Sequence, residues 1–320
     1  MGLIETDYPI TSDVRVALCE TNGTLRGAFQ TALYRRGFRE MEVCRDSGSL
    51  LSFLDSQVVD LVICSSDLPG IDFPYLVQQI RRQTVGRNPF TTILATVGET
   101  TLEEVRQIIN SGVDRVVRKP ISMGDLMNYV NSLASNRKPF IATEEYVGPS
   151  RRAAPRPDSE NLAIEVPNTL RAKLLDRGSQ ADLGQVIAAS MDGLNQLREQ
   201  NANLAIWRSV RRIGRLLTQP EHLERVEDEL YRLDALCLEI EARYRDSENE
   251  HYCEIAQCLA QCAELLRRLP DHSLASQAVT LSLMEQLGDV FRKPGQCDPE
   301  TVAFVQQIAG AVRNFLNSMV

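Results

Sequence analysis

Five short apolar runs, each followed by a stretch of helical periodicity, constrain the first 135 residues more than any other feature. The runs are Val14 to Cys19, Met41 to Cys44, Val58 to Cys64, Thr91 to Thr96 and Val113 to Arg118. The third is almost continuously apolar, as a strand covered on both faces must be. Between them, Leu25, Phe29, Leu33 and Tyr34 recur at helical spacing up to Gly37, and Ser47 to Leu54 gives a second helix. Leu68-Pro69-Gly70 turns the chain into a third helix around Tyr75 to Ile80. Thr100 and Glu103 have the spacing of a capping box for a fourth helix ending near Gly112, and Ile121 to Leu133 is a fifth. Five strand-helix units in series predict an α/β doubly wound five-stranded parallel sheet with helices on both faces.

The character changes at residue 136. Pro139, Pro149, Pro155, Pro157 and Pro167 punctuate the stretch to 168, with Arg151, Arg152 and Arg156 between them, and this reads as a linker, with packing of Arg137-Lys138-Pro139-Phe140 on the first domain left open. From 169 to 320 the strand signals stop. Leu183, Ile187, Met191, Leu194 and Leu197 share a helical face, and Leu204, Trp207, Val210 and Leu217 extend it or begin a second helix. Thr218-Gln219-Pro220-Glu221 has the makings of a helix start. Leu223, Val226, Leu230, Leu233, Cys237, Ile240 and Tyr244 then form a heptad seam. Ile255, Leu259, Cys262, Leu266 and Leu269 continue the style, Leu274 to Phe291 closes at Pro294-Gly295, and Asp298-Pro299-Glu300 opens a last helix. The expectation is an all-α helical bundle. The predicted organisation is therefore a sheet domain at 13–135, a Pro/Arg-rich linker at 136–168 and a bundle at 169–320.

Composition narrows the classes. Apolar residues make up 43% of the 320, enough for real cores, so a wholly disordered chain is excluded. The formal charge is −8, which argues against a whole-chain grip on nucleic acid. No apolar run reaches the roughly 18 to 20 residues of a membrane span. The stretch Met1 to Asp13 is polar and lacks the basic start and apolar core of a signal peptide. Eight cysteines without dense regular spacing read as reduced thiols. A cytoplasmic protein is expected.

Residues 13–135 resemble the receiver domain of bacterial two-component response regulators, with a flavodoxin-like fold. The resemblance rests on Asp60-Leu61-Val62 leading into Leu68-Pro69-Gly70, on Thr96 at the end of the fourth strand, and on Lys119-Pro120 after the fifth. Arg137-Lys138-Pro139-Phe140 and Tyr146-Val147-Gly148-Pro149-Ser150-Arg151-Arg152 also resemble a segment found after some bacterial receivers. The helical region carries no motif by which a family is recognised.

The resemblance implies a phosphoryl acceptor at the end of the third strand, an acidic pair that joins it in holding Mg²⁺, and a Thr/Ser and a Lys on the phosphoryl oxygens. Such chemistry needs hard oxygen ligands and charge to offset crowded anions. Here the acceptor position carries Ser65, and the acidic pair is Glu20 and Thr21. Thr96 and Lys119 are retained, while Val116 stands where an aromatic switch residue is often found and Phe73 replaces a usual glycine. A serine hydroxyl with no base beside it is a poor substitute for a carboxylate nucleophile. The expectation is a degenerate pocket, a pseudo-receiver with no cofactor. Asp67, two residues beyond Ser65, is the alternative acceptor, with Mg²⁺ required if it works. Lys119 has a plainer role open to it, pairing with Glu20.

Three further features need weighing. Arg208, Arg211, Arg212 and Arg215 form a basic stripe beside Trp207, but 17 basic residues face 22 acidic ones from 169 onward. A solvated face, or pairing with the acidic helix from Glu221 to Glu241, is therefore favoured over nucleic acid. Cys253, Cys258 and Cys262 lie near His251 without CxxC spacing and read as core. His222 and His272 sit at helix starts, and no enzyme signature is present. The expected function is non-enzymatic signal transduction by protein–protein contact, through the fourth and fifth helices and fifth strand of the receiver and through the bundle. The expected partners are other signalling proteins, two-component proteins among them, or a second copy of the chain. The rival expectation is a phosphorylation-responsive regulator whose bundle binds nucleic acid or another signalling protein.

Overall fold

A computed structural model describes residues 13–143, 145–151, 162–175, 183–218, 223–245, 250–268 and 274–292, with a few isolated positions beyond. The expected starts at Gln219 to Glu221 and Asp298 to Glu300, the stop at Pro294-Gly295, and His222, Leu269 and His272 lie outside the described residues. The chain divides into two compact units, Met1–Ala154 with Leu162–Arg198 and Pro155–Asn161 with Glu199–Val320.

In the first unit β1 (Val16–Cys19), β2 (Met41–Cys44), β3 (Leu61–Ser65), β4 (Thr92–Val97) and β5 (Arg115–Arg118) form one sheet. Every neighbouring pair is parallel and the order is β2-β1-β3-β4-β5. The period of two in a strand divides its side chains between two cores. Val16, Leu18, Leu61 and Ile63 pack with α1 (Gly23–Arg35) and α5 (Met123–Ser135). Ala17, Cys19, Val62 and Cys64 pack with α2 (Ser47–Ser56), α3 (Phe73–Arg81) and α4 (Leu102–Asn110). Side-chain caps start these helices: Asn22, Asp46, Asp72, Thr101 and Ser122 each accept a backbone N–H from the first turn. The capping box of α4 is Thr101 with Glu104, one residue later than the Thr100–Glu103 spacing suggested. Thr100 still donates to the same Glu104 carboxylate, at 2.6 Å, so the two threonines compete for one partner.

The 136–168 stretch is not a plain linker. Phe140–Ala142 (β6), Val147–Pro149 (β7) and Ala163–Ile164 (β8) form an antiparallel sheet in the order β7-β6-β8. Pro139, just before β6, and Pro149, the last residue of β7, are tolerated because they sit at strand ends. Phe140, Ala142 and Val147 are buried with Phe90 and with Ile187, Met191, Leu194 and Leu197 of α7 (Leu183–Leu217). The Phe90 and Phe140 rings meet edge to face at 5.8 Å.

Two buried ion networks fix the added segment. Asp114 accepts from Arg81 at 2.8 Å and from Arg137 at 2.8 Å, and all three side chains are almost fully buried. Asp60, at the entry to β3, accepts from Lys173 of α6 (Thr169–Leu174) at 2.7 Å and from the Arg15 backbone at 2.8 Å. Leu170 and Leu174 of the same helix enter the core of α1 and α5. The compact first unit therefore ends at Arg198, inside α7, and not at residue 135. The expected boundary at 169 moves with it, because these residues bury their apolar faces on the first unit.

The second unit is helical, as expected. The remainder of α7, with α8 (Leu223–Tyr244), α9 (His251–Arg268) and α10 (Leu274–Val290), encloses one core. Residues 183–217 are a single helix, so Leu204 to Leu217 continue the first periodic stretch. Val226, Leu230, Leu233, Cys237, Ile240 and Tyr244 are all buried, which makes the heptad seam internal core.

Candidate functional site

The carboxyl ends of parallel strands collect the backbone turns that can present side chains to one point, and the order reversal between β1 and β3 opens a crevice there. Glu20 and Thr21 follow β1, Ser65 ends β3, Thr96 lies opposite it in β4, and Lys119 follows β5. The sheet thus gathers five of the predicted residues, and Asp67 on the loop after β3 is the sixth.

Lys119 is the hub. Its Nζ donates to Glu20 Oε1 at 2.9 Å and to Ser65 Oγ at 2.6 Å. Glu20 is 1% exposed, and its other oxygen accepts from Thr96 Oγ1 at 3.3 Å. The Asn22 backbone N–H adds a third contact to Glu20, at 3.0 Å. Ser65 is equally buried, and its hydroxyl donates to Asp67 Oδ1. Thr21 Oγ1 lies 3.3 Å from both Asp67 oxygens. Asp67 therefore turns toward the pocket while remaining largely solvent-exposed, 4.0 Å from Lys119. Its partial burial works against ionisation, but the Ser65 hydroxyl and the Lys119 charge outweigh it and hold the carboxyl below its usual range.

Sequence reasoning missed two members. Arg26, one turn into α1, donates to the Glu20 carbonyl at 2.8 Å, and the Asn22 N–H engages the Glu20 carboxylate. Neither has a sequence signal, since both depend on how the chain leaves β1. Val116 sits in β5 beside Ala95 and packs, partly buried, on the α2–α4 core.

A receiver-type Mg²⁺ site requires several oxygen ligands that are free and mostly anionic. This donor set does not match. Ser65 and Thr21 are neutral hydroxyls, and Glu20 is already occupied by Lys119, Thr96 and Asn22. Among the described residues no group of three or more His, Cys, Asp or Glu side chains is arranged to hold a metal.

The other candidates do not join the pocket. Arg212 pairs with Glu229 of α8 at 3.1 Å. Arg211 lies 3.7 Å from Glu285 and 3.6 Å from Asp289, both on α10. Arg208 and Arg215 also have interactions of their own. Arg212 thus meets an acidic side chain of α8, and Arg211 meets two of α10. Cys258 and Cys262 are buried in the helical core, where burial chiefly pushes the Cys262 thiol up to about 12.

Residues 16–131 match the family model described as the response regulator receiver domain. A 125-residue stretch, 39% of the chain, is 30% identical to the sensor histidine kinase AruS of Pseudomonas aeruginosa, and it spans 12% of that protein's length. Solved structures include a CheY-like receiver domain protein from Methanospirillum hungatei JF-1, at 18% identity and a TM-score of 0.34. That match covers 37% of this chain and 91% of the other. The signal receiver domain of an HD domain-containing protein from Pseudomonas fluorescens Pf-5 is 27% identical, also with a TM-score of 0.34. It covers 37% of this chain and 85% of the other. Among the described residues no helix is long and apolar enough to cross a membrane.

Proposed function

Residues 16–131 being a response regulator receiver domain of signal transduction, we propose that it is a pseudo-receiver, acting by protein–protein contact without phosphoryl transfer. The carrying observation is the Glu20–Lys119–Ser65 chain. The lysine that would meet a phosphoryl group is bound to a buried carboxylate, and the side chain at the end of β3 is a buried neutral hydroxyl. A receiver so arranged holds one conformational state until a partner with higher affinity for another state shifts the population. The partners in this reading are other two-component signalling proteins in the cytoplasm. The reading involves no catalysis and no bound metal.

Asp67 supports the second reading, because its carboxylate faces the pocket, accessible and near Lys119. As an acceptor it would need Mg²⁺, and among the described residues of the pocket Glu20 is the other carboxylate. Its oxygens are already taken, which favours the pseudo-receiver.

Intact mass after incubation with a small acyl phosphate and Mg²⁺ tests both. The expected mass is unchanged. A gain of one phosphoryl group on Asp67 or Ser65 overturns the proposal and makes the domain an unusual working switch.

A further inference from the structure

Between the end of α5, the β8–α6 connection and the start of α7 lies a half-open cavity of about 320 Å³. All of its described lining belongs to the first unit. That volume is at the small end of the roughly 300–1,000 Å³ found for small-molecule sites. Val166, Pro167, Ala172, Leu183 and Val186 make the lining largely apolar, and Val186 is 39% exposed. Thr169 in the same wall accepts from Asn88, ahead of β4, at 3.3 Å. The cavity therefore lies at the amino ends of the strands, at the opposite end of the sheet from Lys119.

We infer that this cavity binds a small organic anion with an apolar body, its acidic head at Lys138 and Arg171. Three lining cations, Arg137, Lys138 and Arg171, stand against one lining carboxylate, Glu165. The Arg137 side chain is 5% exposed, and its carboxylate partner Asp114 also serves Arg81. One buried carboxylate between two guanidiniums leaves positive charge behind the wall, and low-dielectric walls focus such a field into a cleft. Lys138 is exposed and, among the described residues, forms no ion pair, so its charge is available to a ligand. The carbonyls that end α5 do not repel an anion here. Asn168 Nδ2 donates to those of Leu133 and Ala134, at 2.9 and 3.3 Å, and Arg171 to that of Ser135, at 3.2 Å.

A ligand seated in the cavity touches α5, α6 and α7 together and so braces α6 and the start of α7 against α5. It is an input separate from the Glu20–Lys119–Ser65 chain. The inference is independent of phosphorylation at the receiver pocket.

Fluorescence titration of the full chain with 8-anilinonaphthalene-1-sulfonate reads the site, since this probe joins an aromatic body to one sulfonate. Saturable binding is expected, and tighter than that of N-phenyl-1-naphthylamine, the same body without the charge. Lys138→Glu is expected to weaken binding of the sulfonate by about fivefold, and Glu165→Gln to strengthen it, with little change for the neutral probe. Both residues are exposed, and melting curves check that neither substitution disturbs the fold. Ala172→Trp fills the cavity and is expected to abolish binding of both probes. If that chain fails to fold, the opposite signs of the two exposed variants still decide. Absence of saturable binding overturns the inference, as does binding that Lys138→Glu leaves unchanged. Equal affinity for the two probes, or a weaker sulfonate complex in Glu165→Gln, overturns the assignment of an anion.

Discussion

Asp114 carries more of the first unit than its place in a strand-loop junction suggests. It neutralises Arg81 and Arg137 and also accepts the Ile93 backbone N–H at 2.8 Å. Burial opposes its ionisation, but the charges of Arg137 and Arg81 prevail and keep its carboxyl below the usual range. Removing the charge strands two buried cations, which typically costs about 3–5 kcal/mol. Asp114→Asn is therefore expected to lower the midpoint of chemical denaturation strongly. The sign of the pH dependence follows from the depressed value. This contribution is complete above the unfolded carboxyl's pKa of about 3.9, and is lost as pH falls from there through the lower folded value. The Asn variant should show a shallower loss of stability over that acid range. An equally steep loss would place the acid sensitivity elsewhere.

At the scale of elements, the hairpin of β6 and β7 is held by two glycines in backbone contact. Gly112, between α4 and β5, has φ +110°, and a Cβ there would stand 2.7 Å from the Val147 carbonyl. Gly148, on the hairpin, would bring a Cβ within 2.8 Å of Gly112 itself. Gly112→Ala is thus penalised both by its left-handed backbone and by the hairpin, by about 1–3 kcal/mol. Gly98→Ala, with open space around it and no such φ, is expected to be near neutral. Thermal melts of the two variants compare them. Equal melting temperatures would mean that the hairpin does not bear on the α4–β5 junction. The element scale also explains the thiols. Cys44, Cys19 and Cys64 stand side by side across β2, β1 and β3. All three are buried in the α2–α4 core, as small apolar residues would be.

For the whole molecule, the decisive quantity is where the first unit ends. A chain stopped after Ser135 loses Arg137 and Lys173 as partners of Asp114 and Asp60, and uncovers Phe90. Compared with a chain stopped after Arg198, it is expected to melt at least about 5 °C lower, as a loss of roughly 1 kcal/mol already implies for a small domain. Equal melting would return residues 136–168 to the status of a spacer.

The order of strands and helices and the two-faced sheet were legible in the sequence, whereas the positions Glu20, Thr21, Ser65, Thr96 and Lys119 came only from the resemblance to receiver domains. Apolar period and turn chemistry are local, and in a right-handed parallel sheet they fix which strand ends converge. Three things were not legible. Arg137 and Lys173 look like ordinary surface cations until Asp114 and Asp60 are placed beneath them. The inward turn of Asp67 depends on Ser65 and Thr21 arriving from two different strands. The heptad seam of α8 could be core or contact surface, because spacing records only that a face is apolar. Which face is covered depends on long-range burial, and that places Leu233 inside and Leu238 outside.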